Sequence, residues 1–242
     1  MEVFDELIEK VNALLPAGGK AMAPRQELER FQGHRNELIL GRETAYELGG
    51  SGKACVSTGL YTQRKDLVPR DEILLFGKDL RELKADAPFA RIACIRTDDI
   101  EQQGEQGAYA ILESINLKKY DVFPKGYMVR TSALSNREQV RVSKAGVKSG
   151  LSFQEVGSFY IREYHKNPHV QAVKMIFATC EDLDYPELDR LGLLSNQLLR
   201  ALNHLLADLT MNCKACEWKS ICDEVEGMKQ MHEKMLHTQP VK

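Results

Sequence analysis

No stretch of this 242-residue chain stays apolar for the length that a membrane-spanning helix needs, so no transmembrane segment is expected. Charge of one sign is also lacking. The net charge is −2, which argues against a general nucleic-acid binder. There is no internal repeat and no low-complexity tract. The N-terminus, Met-Glu-Val-Phe-Asp-Glu, is acidic and amphipathic rather than basic and then apolar, so it does not read as a signal peptide. A cytoplasmic location follows as the expectation. Thiols are reduced there, so six cysteines read as core residues and metal ligands rather than as a disulfide framework. With 43% hydrophobic and 28% charged residues, the chain has the composition of an ordered globular protein.

What is present begins with Phe4, Leu7, Ile8, Val11, Leu14 and Leu15 at helical spacing, ended by Pro16 and two glycines. A polar linker is predicted from there to about Asn36. Short apolar runs then read as strands: Glu37–Leu40, Ala54–Thr58, Ile73–Phe76 and Phe89–Ile95. Residues 107–118 read as a helix. Val140–Ser143 reads as a strand, and Ser152-Phe-Gln-Glu155 as a capping box opening a helix with Val156, Phe159, Tyr160 and Tyr164. Val170–Cys180 reads as a strand. Pro186 starts a long helix with Leu191, Leu194, Leu198, Leu202, Leu205 and Leu209 on one stripe. Strands early and mixed elements later predict an α+β fold, a mixed sheet with packed helices.

The long helix delivers the chain into Cys213, Cys216 and Cys222, spaced C-x2-C-x5-C. Two thiolates separated by two residues can bind one centre from a single turn of backbone, and a third soon after can return to it. A 4Fe–4S cluster tolerates this uneven spacing. A structural zinc site is the alternative, although only one CxxC is present and no histidine lies within the run. Three unrelated cysteines are the bland reading. A cubane needs a fourth thiolate. Cys180, at the end of its strand, is the nearest candidate, with a core cysteine as the competing reading. An exogenous group or another chain could also serve, or the fourth ligand could be absent. Cys55 and Cys94 lie in apolar runs and read as core.

Asn-Arg-Glu-Gln-Val-Arg-Val-Ser-Lys at 136–144, followed by Gly-Leu-Ser-Phe-Gln-Glu-Val-Gly-Ser at 150–158, resembles the RVSK segment of the acetyl-CoA synthase β subunit of the CO dehydrogenase/acetyl-CoA synthase complex. Tyr46-Glu-Leu-Gly-Gly50 is similar to that family's strand ending in Gly-Gly. Residues 71–79 are similar to its strand and following turn, and 173–179 to the strand before the nickel–iron–sulfur A-cluster. The pieces keep their order from about residue 35 to 222. The resemblance implies the fold of the family's middle domain and a role in anaerobic one-carbon metabolism, with a corrinoid protein or methyltransferase as partner. It implies cubane ligation by Cys213, Cys216 and Cys222, with Cys216 in the place of the cysteine that bridges to nickel. The family's later cubane cysteine and its Cys-Gly-Cys are absent, so the chain alone does not provide for nickel or for independent turnover. The C-x2-C-x5-C run with Trp218 also resembles the short iron–sulfur staple of RecB-type nucleases.

Residues 125–148 carry Lys125, Arg130, Arg137, Arg141, Lys144 and Lys148 against one acid, Glu138. A solvated basic face and a phosphate site both fit. The resemblance implies that Arg130, Arg137 and Arg141 receive the phosphates of coenzyme A, while an acidic partner surface would fit the same charges. The acids from Glu181 to Asp189 read as a solvated helix entry, and His165 and His169 as loop histidines. The expected organisation is an N-terminal helix and linker at 1–34, a middle-domain-like unit at 35–211, and a cysteine segment with its tail at 212–242.

Overall fold

The computed structural model describes residues 1–207 apart from 42, 51 and 132–137. It is an α+β protein built on a mixed five-stranded sheet. The elements are α1 (Glu2–Leu14), β1 (Lys20–Met22), β2 (Ala45–Leu48), β3 (Cys55–Thr62), β4 (Glu72–Phe76), β5 (Phe89–Thr97), α2 (Gly104–Leu117), β6 (Tyr127–Thr131), β7 (Glu138–Ser143), α3 (Lys144–Lys148), α4 (Phe153–Tyr164), β8 (Val170–Ala178) and α5 (Tyr185–Ala207). The large sheet has the order β1-β4-β8-β5-β3. A three-stranded antiparallel sheet, β2-β7-β6, packs beside it.

β8 and β5 pair antiparallel at the centre of the large sheet, and parallel partners flank them: β4 beside β8, β3 beside β5. Both central strands are buried almost throughout, which is why they read as unbroken apolar runs rather than alternating ones. α4 covers one face. Phe153 on α4 stacks on Phe177 with centroids 4.7 Å apart, and Phe89 closes the aromatic group at 6.0 and 6.4 Å. Each such pair contributes about 0.5–1.5 kcal/mol beyond its burial. α5 lies along β3, with Gly192 beside Thr58 and the Ser195 hydroxyl donating to the Gly59 carbonyl at 2.6 Å. The side chain of Thr58 leaves the sheet on the face opposite to that of Ser57. α1 lays Phe4 edge-on against Tyr61 of β3, at 5.5 Å. Its residues Phe4, Leu7, Ile8 and Val11 belong to the same core as the sheet.

Two expectations are corrected. Glu37–Leu40 is not a strand: Leu38 and Leu40 are 65% and 75% exposed, and the segment has no ladder partner among the described residues. Side chains hold this segment instead. The Arg141 guanidinium donates to the carbonyls of Ile39 and Leu40 at 2.8 and 2.9 Å. The polar linker before Asn36 is not structureless either. β1 pairs antiparallel with β4, and a short 3-10 turn buries Phe31. β1 is a largely exposed edge strand of three residues, so it leaves no apolar alternation to read. At the start of α4, the Ser152 hydroxyl accepts from the Gln154 N–H at 3.2 Å and donates to the Glu155 carboxylate. The Phe153 N–H donates to Asp79 at 2.8 Å. The acids after Cys180 behave as a helix entry: Asp184 accepts from the Glu187 N–H at 3.0 Å, and Glu187 pairs with Arg190.

Gly157 marks the closest approach of α4 to the sheet. A Cβ there would lie 2.8 Å from Ile73 Cγ1 and 3.1 Å from Phe177. Gly157→Ala gains about 1 kcal/mol of helix propensity. Overpacking against two buried side chains costs about 1–3 kcal/mol, so a net loss of stability is expected in urea denaturation.

His165 and His169 are each tied to a carboxylate. His165 Nε2 lies 2.9 Å from Asp71, and His169 Nδ1 lies 3.0 Å from Asp98. The hydrogen bond to Asp71 raises the His165 pKa above its ordinary value, against the effect of partial burial. The folded state therefore favours the protonated ring. The resulting stabilisation is complete below the unfolded value of 6.5 and is lost as pH climbs through the raised folded one. Titration by NMR should place His165 above 6.5, and Asp71→Asn should bring it back down.

Candidate functional site

Arg91 interrupts the apolar run of β5, and its side chain is only 4% exposed. The strand register places it directly between Ser57 of β3 and Phe177 of β8. It therefore points to the face covered by α4 and the small sheet. There it donates to Glu138 at the start of β7, to Ser57 at 2.7 Å, and to the hydroxyl of Tyr160 on α4. Ser57 in turn donates to Glu138 at 2.7 Å. Lys119, in the turn after α2, reaches the other carboxylate oxygen at 3.5 Å. Burial pushes Glu138 towards its neutral form, but Arg91, Lys119 and Ser57 outweigh it and hold the carboxyl below the ordinary range. Burial likewise opposes the charge on Arg91, and Glu138 overcomes it. Tyr160 is pushed up to about 12 by burial, so its hydroxyl stays protonated. The group is thus two cations on one anion, tying both sheets, α4 and the α2 turn together.

Two clefts open beside this cluster and share Lys119, Tyr120, Thr131 and Glu138 as a common wall. The larger, about 560 Å³, runs between the 34–40 segment and β6. Its lip is apolar, with Leu38, Leu40, Met128 and Val129. Its cations are Arg35, Arg130, Arg141 and Lys119. The buried hydroxyl of Tyr127 on this wall has no hydrogen-bond partner among the described residues. The smaller cleft, about 230 Å³, is lined mainly by polar side chains of β3, α2 and α5.

The structure brings Arg130 and Arg141 together on adjacent strands, both directed at Glu47. Arg141 is buried. It binds Glu47 at 2.6 Å in addition to the two carbonyls of the 39–40 segment, so most of its donors are already committed. Arg130 touches Glu47 only at 3.4 Å and is 45% exposed, which leaves it open to the cleft. Arg137 lies outside the described residues, as do Cys213, Cys216 and Cys222. Cys180 is half-buried just past β8, and burial raises its thiol pKa. Its carbonyl accepts from Tyr185 at the first residue of α5, at 2.9 Å. α5 is one unbroken helix of 23 residues, so Ala207 lies about 33 Å further on. Among the described residues no group of three or more histidine, cysteine or acidic side chains could hold a metal. Cys55 and Cys94 are buried, in keeping with the core reading.

The cluster itself was not singled out from sequence. Its signals were present: a lone arginine inside a buried strand, and the single acid, Glu138, inside a basic stretch. Compared with models of known families and with curated proteins, the chain matches none.

Removing one partner of a buried ion pair leaves an uncompensated charge and costs about 3–5 kcal/mol, whereas replacing both is far milder. Glu138→Leu should therefore lower the urea midpoint sharply, and Arg91→Met combined with Glu138→Leu should recover much of the loss.

Proposed function

We propose that this protein is an acetyl-CoA synthase β subunit-like binding protein of anaerobic one-carbon metabolism. Its larger cleft takes coenzyme A, and Cys213, Cys216 and Cys222 hold an iron–sulfur centre. It works with a corrinoid protein or a methyltransferase rather than turning over alone. The observation that carries this reading is the cleft between the 34–40 segment and β6, where a cationic rim faces an apolar lip. Coenzyme A presents the matching chemistry, a phosphorylated head and a long, weakly polar arm. Arg130 and Arg35 would meet phosphate, with Arg137 as a further candidate beyond the described residues. Arg141 would act by fixing the 39–40 segment that forms the lip. Leu40, Met128 and Val129 would cover the arm. The segments that carry the family resemblance also support the reading, because they fall on regular elements: β2 just before Gly49-Gly50, β4, β7 running into α3 and α4, and β8 leading to α5.

A cluster would supply redox or Lewis-acid chemistry at the cysteine segment. The described residues of the larger cleft would bind and orient an anionic ligand. A structural zinc site in a non-catalytic module and an electron carrier for a corrinoid protein are the competing outcomes. Anaerobically purified protein should carry iron and acid-labile sulfide in equal amounts, with an EPR signal on reduction, and Cys216→Ala should lose both. Colourless protein with stoichiometric zinc would overturn the cluster. Calorimetry should show coenzyme A binding that weakens with added salt, and Arg130→Ala should weaken it at least about tenfold. An unchanged affinity in that variant would overturn the cleft assignment.

A further inference from the structure

The smaller cleft is polar for a reason that the larger one does not supply. Four of its side chains carry donors that are uncommitted or only loosely committed. Asn116 of α2 and Asn196 of α5 are half-buried, and neither side-chain amide has a hydrogen-bond partner among the described residues. Arg200, exposed on the next turn of α5, has no ion-pair partner there either. Lys119 is 10% exposed and reaches Glu138 only at 3.5 Å, longer than the roughly 2.7–2.9 Å of a tight ammonium–carboxylate contact. Its other neighbour is the Tyr120 ring at 5.0 Å. An ammonium has three N–H donors, so Lys119 has capacity left.

Of the acceptors on the same walls, Glu138 takes Arg91, Ser57 and Lys119. Glu113 is exposed at the mouth and adds one negative charge to the rim. The buried cluster behind the wall also carries an excess positive charge, since Arg91 and Lys119 face the one carboxylate of Glu138. Charge buried without compensation is costly, and an anion in contact with Lys119 would offset it. A volume of about 230 Å³ matches the space of seven or so water molecules, too little for a nucleotide but enough for a short organic acid.

We propose that this cleft is a second ligand site, for a small carboxylate, held by Lys119 with Asn116, Asn196 and Arg200 around it. The site is built by α2, α5 and the α2 turn. It stands whether or not the larger cleft takes coenzyme A. If both fill, the two ligands lie on opposite sides of one wall, with Lys119 and Tyr120 between them.

The test is an NMR titration of the full chain with acetate, glycolate and malonate, with chloride and inorganic phosphate as controls. Saturable binding of at least one carboxylate is expected, with shifts at the side-chain amides of Asn116 and Asn196. Lys119→Met should weaken that binding at least about tenfold. Because Lys119 also touches Glu138, Asn196→Ala provides a second variant that leaves the ion cluster intact, and it too should weaken binding. Arg130→Ala should leave it unchanged. Absence of saturation with all three acids would overturn the proposal. So would shifts that miss both asparagines, equal responses to chloride and phosphate, or wild-type affinity in Asn196→Ala.

Discussion

The contact between Arg91 and Glu138 is the constraint on which the arrangement depends. Arg91 belongs to the middle of the large sheet and Glu138 to the first residue of a strand in the small one. Neither charge can be left alone at this depth, so the two sheets must meet where they do. Tyr160 commits α4 to the same point, and Lys119 commits the turn after α2. The position of both clefts follows, because each is what remains open around this joint. Apolar packing supplies most of the stabilisation in the core, but it is not directional. The ion cluster sets which surfaces face each other.

The mixed character of the fold was legible in the sequence wherever burial was one-sided or complete. α1, α4 and α5 announced themselves by helical spacing, and β5 and β8 by continuous apolar runs. β1 was illegible because an exposed edge strand has no need of apolar residues; its backbone pairing to β4 is independent of side-chain type. Glu37–Leu40 misled for the opposite reason. Its leucines and isoleucine look like a core strand, yet two of them face solvent, held there by hydrogen bonds from an arginine a hundred residues away. No local pattern records a contact of that range.

The candidate site was legible only in part. Basic residues between 125 and 148 pointed to the β6–β7 region, and the larger cleft does open there. The division of labour between neighbouring arginines was not readable. Arg130 and Arg141 are equivalent in sequence, but strand alternation and the position of Glu47 bury one guanidinium and leave the other half-exposed. Asn116, Asn196 and Arg200 carried no signal at all. Polar residues on helix surfaces are ordinary, and they become a site only because α2 and α5 are brought together over the edge of β3.

One consequence concerns the order in which the chain is made. β8 lies between β4 and β5 in space, yet it follows both in sequence, beyond residue 169. Until a ribosome has released that strand, β4 and β5 each present an unpaired hydrogen-bonding edge. Such edges invite pairing with other chains. Sheet closure must therefore wait for the last strand, and long-range pairing of this kind is slow. The nascent protein has a window of aggregation risk that the finished fold conceals, and assistance from a holding chaperone would matter most within it.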